Sequence, residues 1–207
     1  MNPGNKKGRV GILLSGRGSN FEAIYRKSLE ENSNYEVVVI ISDRQDARGL
    51  ARAGEFGIAH FFVSPKEFRP KRIYEKRIVE ILFQYNVDLV CLAGYMRIVG
   101  EELLHAFKYR ILNIHPSLLP SFPGLHAQQQ ALDHGVKVSG CTVHFVDAGM
   151  DTGPIIIQEA VKVEENDTTD TLSMRILEQE HKIYPKAVTL FFEKKLKIVG
   201  RKVIILI

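Results

Sequence analysis

"RVGILLSGRGSNFEAIYRKSLEENSNYEVVVIIS", Arg9 to Ser42, sets two apolar runs on either side of a glycine-bearing loop and a helix-like segment. "RVGILLS" reads as a strand, and "SNFEAIYRKSLEEN" as a helix capped by Ser19 or Asn20. "YEVVVIIS" is a second strand, whose unbroken apolar run predicts burial on both faces. Strand, helix, strand is the unit from which parallel sheets are built.

The same alternation continues downstream. "ARGLARAGEFG" predicts a short helix ending near Gly57, and "IAHFFV" a third strand. "PKRIYEKRIVEILFQYN" carries apolar residues at Ile73, Ile78, Ile81 and Leu82 between charges, the pattern of an amphipathic helix. "VDLVCLAG", "GEELLHAF" and "RILNIH" supply a strand, a short helix and a fifth strand. Then the rhythm changes. "SGCTVHFVDAGMDTGPIIIQEAVKV" predicts two antiparallel strands joined by a Gly- and Asp-rich loop. "TLSMRILEQEHKIYPKAVTLFFEKK" is a long helical segment, with Pro185 as a kink or break. The expected fold is α/β and Rossmann-like: a mostly parallel twisted sheet, helices on both faces, and an antiparallel C-terminal part. We expect one domain over residues 1–207, with a flexible N-terminus at 1–8 and a C-terminal hairpin at 196–207 around Gly200-Arg201.

Bulk properties narrow the function. The chain has 207 residues, 45% hydrophobic and 25% charged, as a soluble globular domain does. No apolar run approaches the roughly 20 residues of a membrane span, and no secretory signal follows the N-terminal lysines. The two cysteines, Cys91 and Cys141, sit in apolar contexts and read as core thiols of a cytoplasmic protein. A net charge of +4 is mild, and the basic clusters are not interleaved with aromatics, so neither nucleic acid nor membrane is expected as a partner. The seven histidines and two cysteines show no metal-ligand spacing, and no metal is expected.

Two stretches carry chemistry. Gly16, Gly18, Ser19 and Asn20 lie between the first strand and its helix, where backbone N–H groups and the helix N-terminus favour an anion. Asp43 ends the second strand, where a dinucleotide fold places a ribose-binding acid. The third glycine of that fingerprint is replaced by Phe21, however, so a single phosphate is the better fit. The second stretch is "ILNIHPSLLPSFPGLHAQQQAL", Ile111 to Leu132. Asn113 and His115 stand two apart on a strand end, so they share a face and the ligand-binding edge of the sheet. An amide and an imidazole together suit a tetrahedral oxyanion. A carboxylate is needed to orient the ring, and spacing leaves Asp147 and Asp151 as equal candidates.

The Asn–His stretch, "LAGYMRIV", "GCTVHFVDAGMDTGPIIIQ" and "QEHKIYP" together resemble the folate-dependent glycinamide ribonucleotide transformylases, members of the formyltransferase family. The likeness runs from Ser15 to about Phe192. It implies transfer of a formyl group from 10-formyltetrahydrofolate to the amine of 5-phosphoribosylglycinamide in purine biosynthesis. Carried over residue by residue, it implies Asn113, His115 and Asp151 as the catalytic set, with Asp151 raising the pKa of a protonated His115. It implies Gly18, Ser19, Asn20 and Glu180 for the ribonucleotide, although Glu180 unaided reads as an exposed helix residue. It implies Lys71, Met96, Arg97, Ile98, Val99, Asn113, Asp147 and Asp151 for the folate, with Met96 to Val99 acting largely through backbone groups. Lys71 stands where relatives commonly carry arginine, and Arg72 beside it is the rival contact. His144 either faces this site or packs. A homodimer is compatible with the resemblance. The alternatives are a formyltetrahydrofolate deformylase, disfavoured because the first strand begins by Arg9, and a non-catalytic sensor of phosphate ligands.

Overall fold

The computed structural model describes residues 6–206. Its contacts divide the chain into two compact units, with the boundary in sequence between Leu112 and Asn113.

The first unit holds β1 (Gly8–Leu14), α1 (Ser19–Ser28), β2 (Tyr35–Ser42), α2 (Arg48–Glu55), β3 (Ala59–Phe62), α3 (Lys71–Gln84), β4 (Leu89–Leu92) and α4 (Glu101–Ala106). Its strands run β3-β2-β1-β4, all parallel, as the alternation predicts. Val10, Ile12, Leu13 and Leu14 of β1 are buried, as are all four residues of β4, which is why these strands read as apolar runs. The fifth strand, β5 (Ile111–His115), crosses the unit boundary.

The second unit continues with α5 (Ala127–Asp133), β6 (Val138–Phe145), β7 (Ile155–Lys162), α6 (Thr169–Phe192), β8 (Leu196–Val199) and β9 (Lys202–Ile205). Its order is β5-β6-β7-β9-β8, with β6–β7 and β8–β9 antiparallel. The C-terminal hairpin therefore forms around Gly200 as expected. Among the described residues no helix is long and apolar enough to cross a membrane.

Several local expectations need correction. Neither Ser19 nor Asn20 caps α1: the N-cap is Gly18, at φ 79°, with no side-chain cap. A Cβ on Gly18 would lie 2.8 Å from the Cα of Gly49, so close approach and left-handed backbone both require glycine there. Pro185 does not break α6, which runs through it continuously, with Tyr184, Pro185, Ala187 and Val188 buried. Packing there offsets the roughly 3 kcal/mol that an interior proline costs. Helix α5 was not foreseen, since prolines and glycines precede it and only Ala127 and Ala131 are buried. The N-terminal segment expected to be flexible lies outside the described residues at 1–5, and Gly8 already belongs to β1.

The apolar face expected of α3 is buried at Ile78, Ile81 and Leu82 but not at Ile73. Ile73 is 44% exposed, while Tyr74, Glu75, Ile78, Ile81 and Leu82 are buried. Glu75 is tolerated inside because its carboxylate accepts the Gly100 N–H at 2.6 Å and lies 3.7 Å from Lys71 Nζ. Ile78→Ala should therefore cost about 2–5 kcal/mol, and Ile73→Ala less than about 1 kcal/mol. Urea denaturation midpoints of the two variants check this; equal losses would place Ile73 in the core as well.

Candidate active site

In the second unit, four side chains from separate segments meet. Asn113 and His115 come from the end of β5, His144 from β6, and Asp151 from the β6–β7 loop. Asp151 Oδ2 lies 3.4 Å from His115 Nδ1 and accepts the Gly124 N–H at 2.8 Å. Its other oxygen lies 3.4 Å from Asn113 Nδ2 and 3.6 Å from His144 Nε2. Asn113 Nδ2 is 3.2 Å from that same His144 nitrogen. Sequence spacing left two acids open; Asp151 is the one set against the ring. Asp147 instead serves its own loop, accepting the Gly149 N–H at 3.1 Å and the Thr152 hydroxyl at 2.6 Å.

The loops hold these groups at unusual backbone angles. Phe122, His126 and Asp151 all have positive φ, between 53° and 60°. At Gly153 any Cβ would collide with the Phe145 carbonyl, so the β6–β7 loop turns back tightly just after Asp151. Buried Thr142 pins the chain after β5: its hydroxyl accepts the Leu119 N–H at 3.1 Å and donates to the Ser117 carbonyl at 2.6 Å. Gln158 adds a 2.9 Å bond to the Leu119 carbonyl. Such support fixes side chains to the tolerance that catalysis needs.

Electrostatics at the ring run partly against expectation. His115 Nε2 lies 2.8 Å from the Phe122 carbonyl, which only accepts, so this nitrogen carries a proton. Burial is the largest influence on the ring and pulls its pKa below the ordinary 6.5. The Phe122 carbonyl and the Asp151 carboxylate both pull it up, and neighbouring His144 pulls it down, with a net lowering. Asp151 thus pulls the ring's pKa up, and burial outweighs that pull. For Asp151, burial pushes its pKa up, yet His144, the Gly124 N–H and His115 outweigh it and leave the carboxyl below 3.8. Asp151 is thereby favoured as the anion, while burial disfavours charge on the ring it faces.

The residues assigned to ligands divide between the units. In the first, Gly18 opens α1, Ser19 is its first residue, and Asn20 is buried in the first turn, where helix N–H groups lack intrahelical partners. Arg17 is exposed. Asp43 is 9% exposed, with one oxygen 4.0 Å from Arg97 and the other without a hydrogen bond. Arg97 also lies over the Tyr74 ring, 5.3 Å from its centroid. Met96 and Ile98 are exposed and Val99 buried. The Met96 N–H already donates to Ser15 Oγ at 2.9 Å, so that backbone group is not free for a ligand. Lys71 is paired with Glu75, and Arg72 with Glu102 at 2.6 Å. In the second unit, Glu180 is buried in α6, not exposed as its helical position had suggested. Sequence reasoning missed the Phe122 carbonyl and Gly124 N–H; the crowded prolines and glycine there were the available signal. Among the described residues no three His, Cys, Asp or Glu side chains stand together as a metal site.

These residues lie within a match to the family model described as formyl transferase, over residues 8–188. The phosphoribosylglycinamide formyltransferase of Bacillus subtilis (strain 168) is 47% identical over 180 residues, 87% of this chain and 92% of that protein. A crystal structure of glycinamide ribonucleotide transformylase 1 from Symbiobacterium toebii is similar at TM-score 0.96 and 53% identity, covering 99% of this chain and 96% of that one. A formyltetrahydrofolate deformylase from Pseudomonas syringae pv. tomato shares the fold at TM-score 0.89 and 25% identity, covering 98% of this chain and 67% of that one.

The charge balance at His115 has a measurable sign. With its folded pKa below 6.5, the unfolded chain binds the proton more readily. The ring's contribution to stability is therefore complete above 6.5 and is lost as pH falls from there towards the folded value. Asp151→Asn removes an upward pull, so the His115 ring should titrate lower still by NMR. An upward move would reverse the assigned roles.

Proposed function

The chain belongs to the formyl transferase family, and on that premise we propose that it moves a formyl group from 10-formyltetrahydrofolate to the amine of 5-phosphoribosylglycinamide. The products are formylglycinamide ribonucleotide and tetrahydrofolate, a step of purine biosynthesis. The observation that carries the site assignment is the contact of Asn113 and Asp151 with each other and of Asp151 with the buried ring of His115.

The neutral amine attacks the formyl carbon, forming a C–N bond while the carbonyl electrons move onto oxygen. Asn113 and His115, taking up a proton as that charge develops, stabilise the oxyanion. Asp151 holds the imidazolium and relays the proton released by the amine. The carbonyl then reforms, the bond to the folate nitrogen breaks, and that nitrogen receives the proton. No metal takes part. Gly18, Ser19 and Asn20 hold the ribonucleotide phosphate by backbone donors at the helix start, and Glu180 its ribose. Met96 to Val99 and Asp147 to Asp151 line the folate, and Lys71 or Arg72 meets its acidic tail. Both units act as one functional domain in a cytoplasmic enzyme, with no nucleic acid or membrane as partner; a homodimer is compatible with this reading.

The deformylase likeness favours one rival, transfer to water. Steady-state assay with the folate donor separates the two: turnover should require the ribonucleotide amine, and equal turnover without it would indicate the hydrolase. Binding of the ribonucleotide with no turnover at all would indicate a sensor of phosphate ligands. His115→Ala and Asp151→Ala should each lower kcat by several hundredfold, roughly the loss of an oxyanion donor. Affinities should change far less, and near-normal turnover in either variant would refute the mechanism. Substituting Ser19 and Asn20 together should weaken the ribonucleotide and spare the folate; equal weakening of both would reject the phosphate assignment.

A further inference from the structure

Two consecutive peptide groups of the loop after β5 grip the pair formed by His115 and Asp151. The Phe122 carbonyl stands 2.8 Å from His115 Nε2. The Gly124 N–H donates at 2.8 Å to Asp151 Oδ2, the oxygen that faces His115 Nδ1. Little in the loop itself holds these groups still. Pro123, Leu125 and His126 are exposed, so packing anchors few of its side chains. Phe122, Gly124 and His126 have φ of 53°, 80° and 60°, a left-handed residue at every second position. Non-glycine residues keep such angles only where neighbouring groups impose them.

Gln130 of α5 supplies a hold from outside the loop. Its side-chain nitrogen donates to the Leu125 carbonyl at 2.9 Å and to the Pro123 carbonyl at 3.4 Å. Carbonyls only accept, so the NH₂ end of the amide belongs on this side. The Pro123 carbonyl and the Gly124 N–H are the two ends of one planar peptide group. That group therefore takes a hydrogen bond from Gln130 at its oxygen and gives one to Asp151 at its nitrogen. A peptide polarised at its carbonyl is a stronger donor at its N–H. The same helix sets the His134 ring 5.3 Å from that of Phe122.

We propose that Gln130 is a positioning residue: through the peptide between Pro123 and Gly124 it sets Asp151 against His115. This rests on the reading of Asp151 and His115 as the catalytic pair. The effect passes through backbone, so a single donor on a surface helix fixes the distance between two groups on other segments.

Gln130→Glu and Gln130→Met keep the length of the side chain and remove both donors. In the ligand-free protein, the Gly124 amide proton should move upfield by NMR in both variants, as its bond to the carboxylate lengthens. In turnover, kcat should fall roughly 10- to 100-fold, the loss that a misplacement of about 1 Å brings, with both KM values changing far less. Gln130→Lys, whose ammonium donates to the same carbonyls, should keep the Gly124 signal and most of kcat. A Gly124 amide unmoved in both donorless variants would overturn the proposal. So would near-full kcat in both, KM values that rise as much as kcat falls, or a lysine variant as impaired as Gln130→Met. A shifted Gly124 amide in a protein that transfers no formyl group would support the positioning and reject the functional reading alone.

Discussion

One largely enclosed carboxylate organises the second unit. Asp151 reaches two residues of β5, one of β6 and the backbone of the loop after β5, through its two oxygens. A charge removed from water is costly unless donors surround it, and here the Gly124 N–H and the Asn113 amide donate to it while two imidazole rings stand within 3.6 Å. Its own backbone sits at φ 54°, a conformation that a non-glycine residue holds only where its surroundings impose it. The glycines of the β6–β7 loop and the Asp147–Thr152 bond supply that constraint from the other side.

The same arrangement sets an anionic carboxylate beside a ring whose charge burial opposes. Burial holds the His115 ring below its ordinary pKa, so the protein does not store a buried ion pair beside the substrate carbonyl. Both ring nitrogens nonetheless face acceptors, the Phe122 carbonyl and Asp151. A proton reaching the ring while oxygen gains negative charge therefore finds its partners already in place. Preorganisation of this kind avoids reorienting dipoles during the reaction, which is the usual source of large electrostatic rate effects.

Much of this could be read from the chain alone. The strand–helix alternation, the antiparallel pair from Ser139 onward and the final hairpin all follow from apolar periodicity and turn residues. Spacing also put Asn113 and His115 on one face. It could not choose Asp151 over Asp147, because a loop's closure depends on contacts such as Gly124 to Asp151 that are distant in sequence. It misjudged Ile73 at the first turn of α3, where Tyr74 and Glu75 face inward instead and Gly100 donates to Glu75. It placed Glu180 outside, because a carboxylate on a long helix is usually solvated. The net pKa of His115 lay beyond reach for a similar reason: proximity to an acid is legible, whereas the depth of burial that outweighs it is not.

The most direct measurement is a crystal structure with the ribonucleotide and a folate analogue whose hydrated carbonyl imitates the tetrahedral intermediate. The account predicts an analogue oxygen within about 3 Å of both the Asn113 amide nitrogen and a His115 ring nitrogen, with Asp151 still against the ring. An analogue carbon bound away from β5, or an oxygen held by other donors while Asn113 and His115 stay apart from it, would contradict the account.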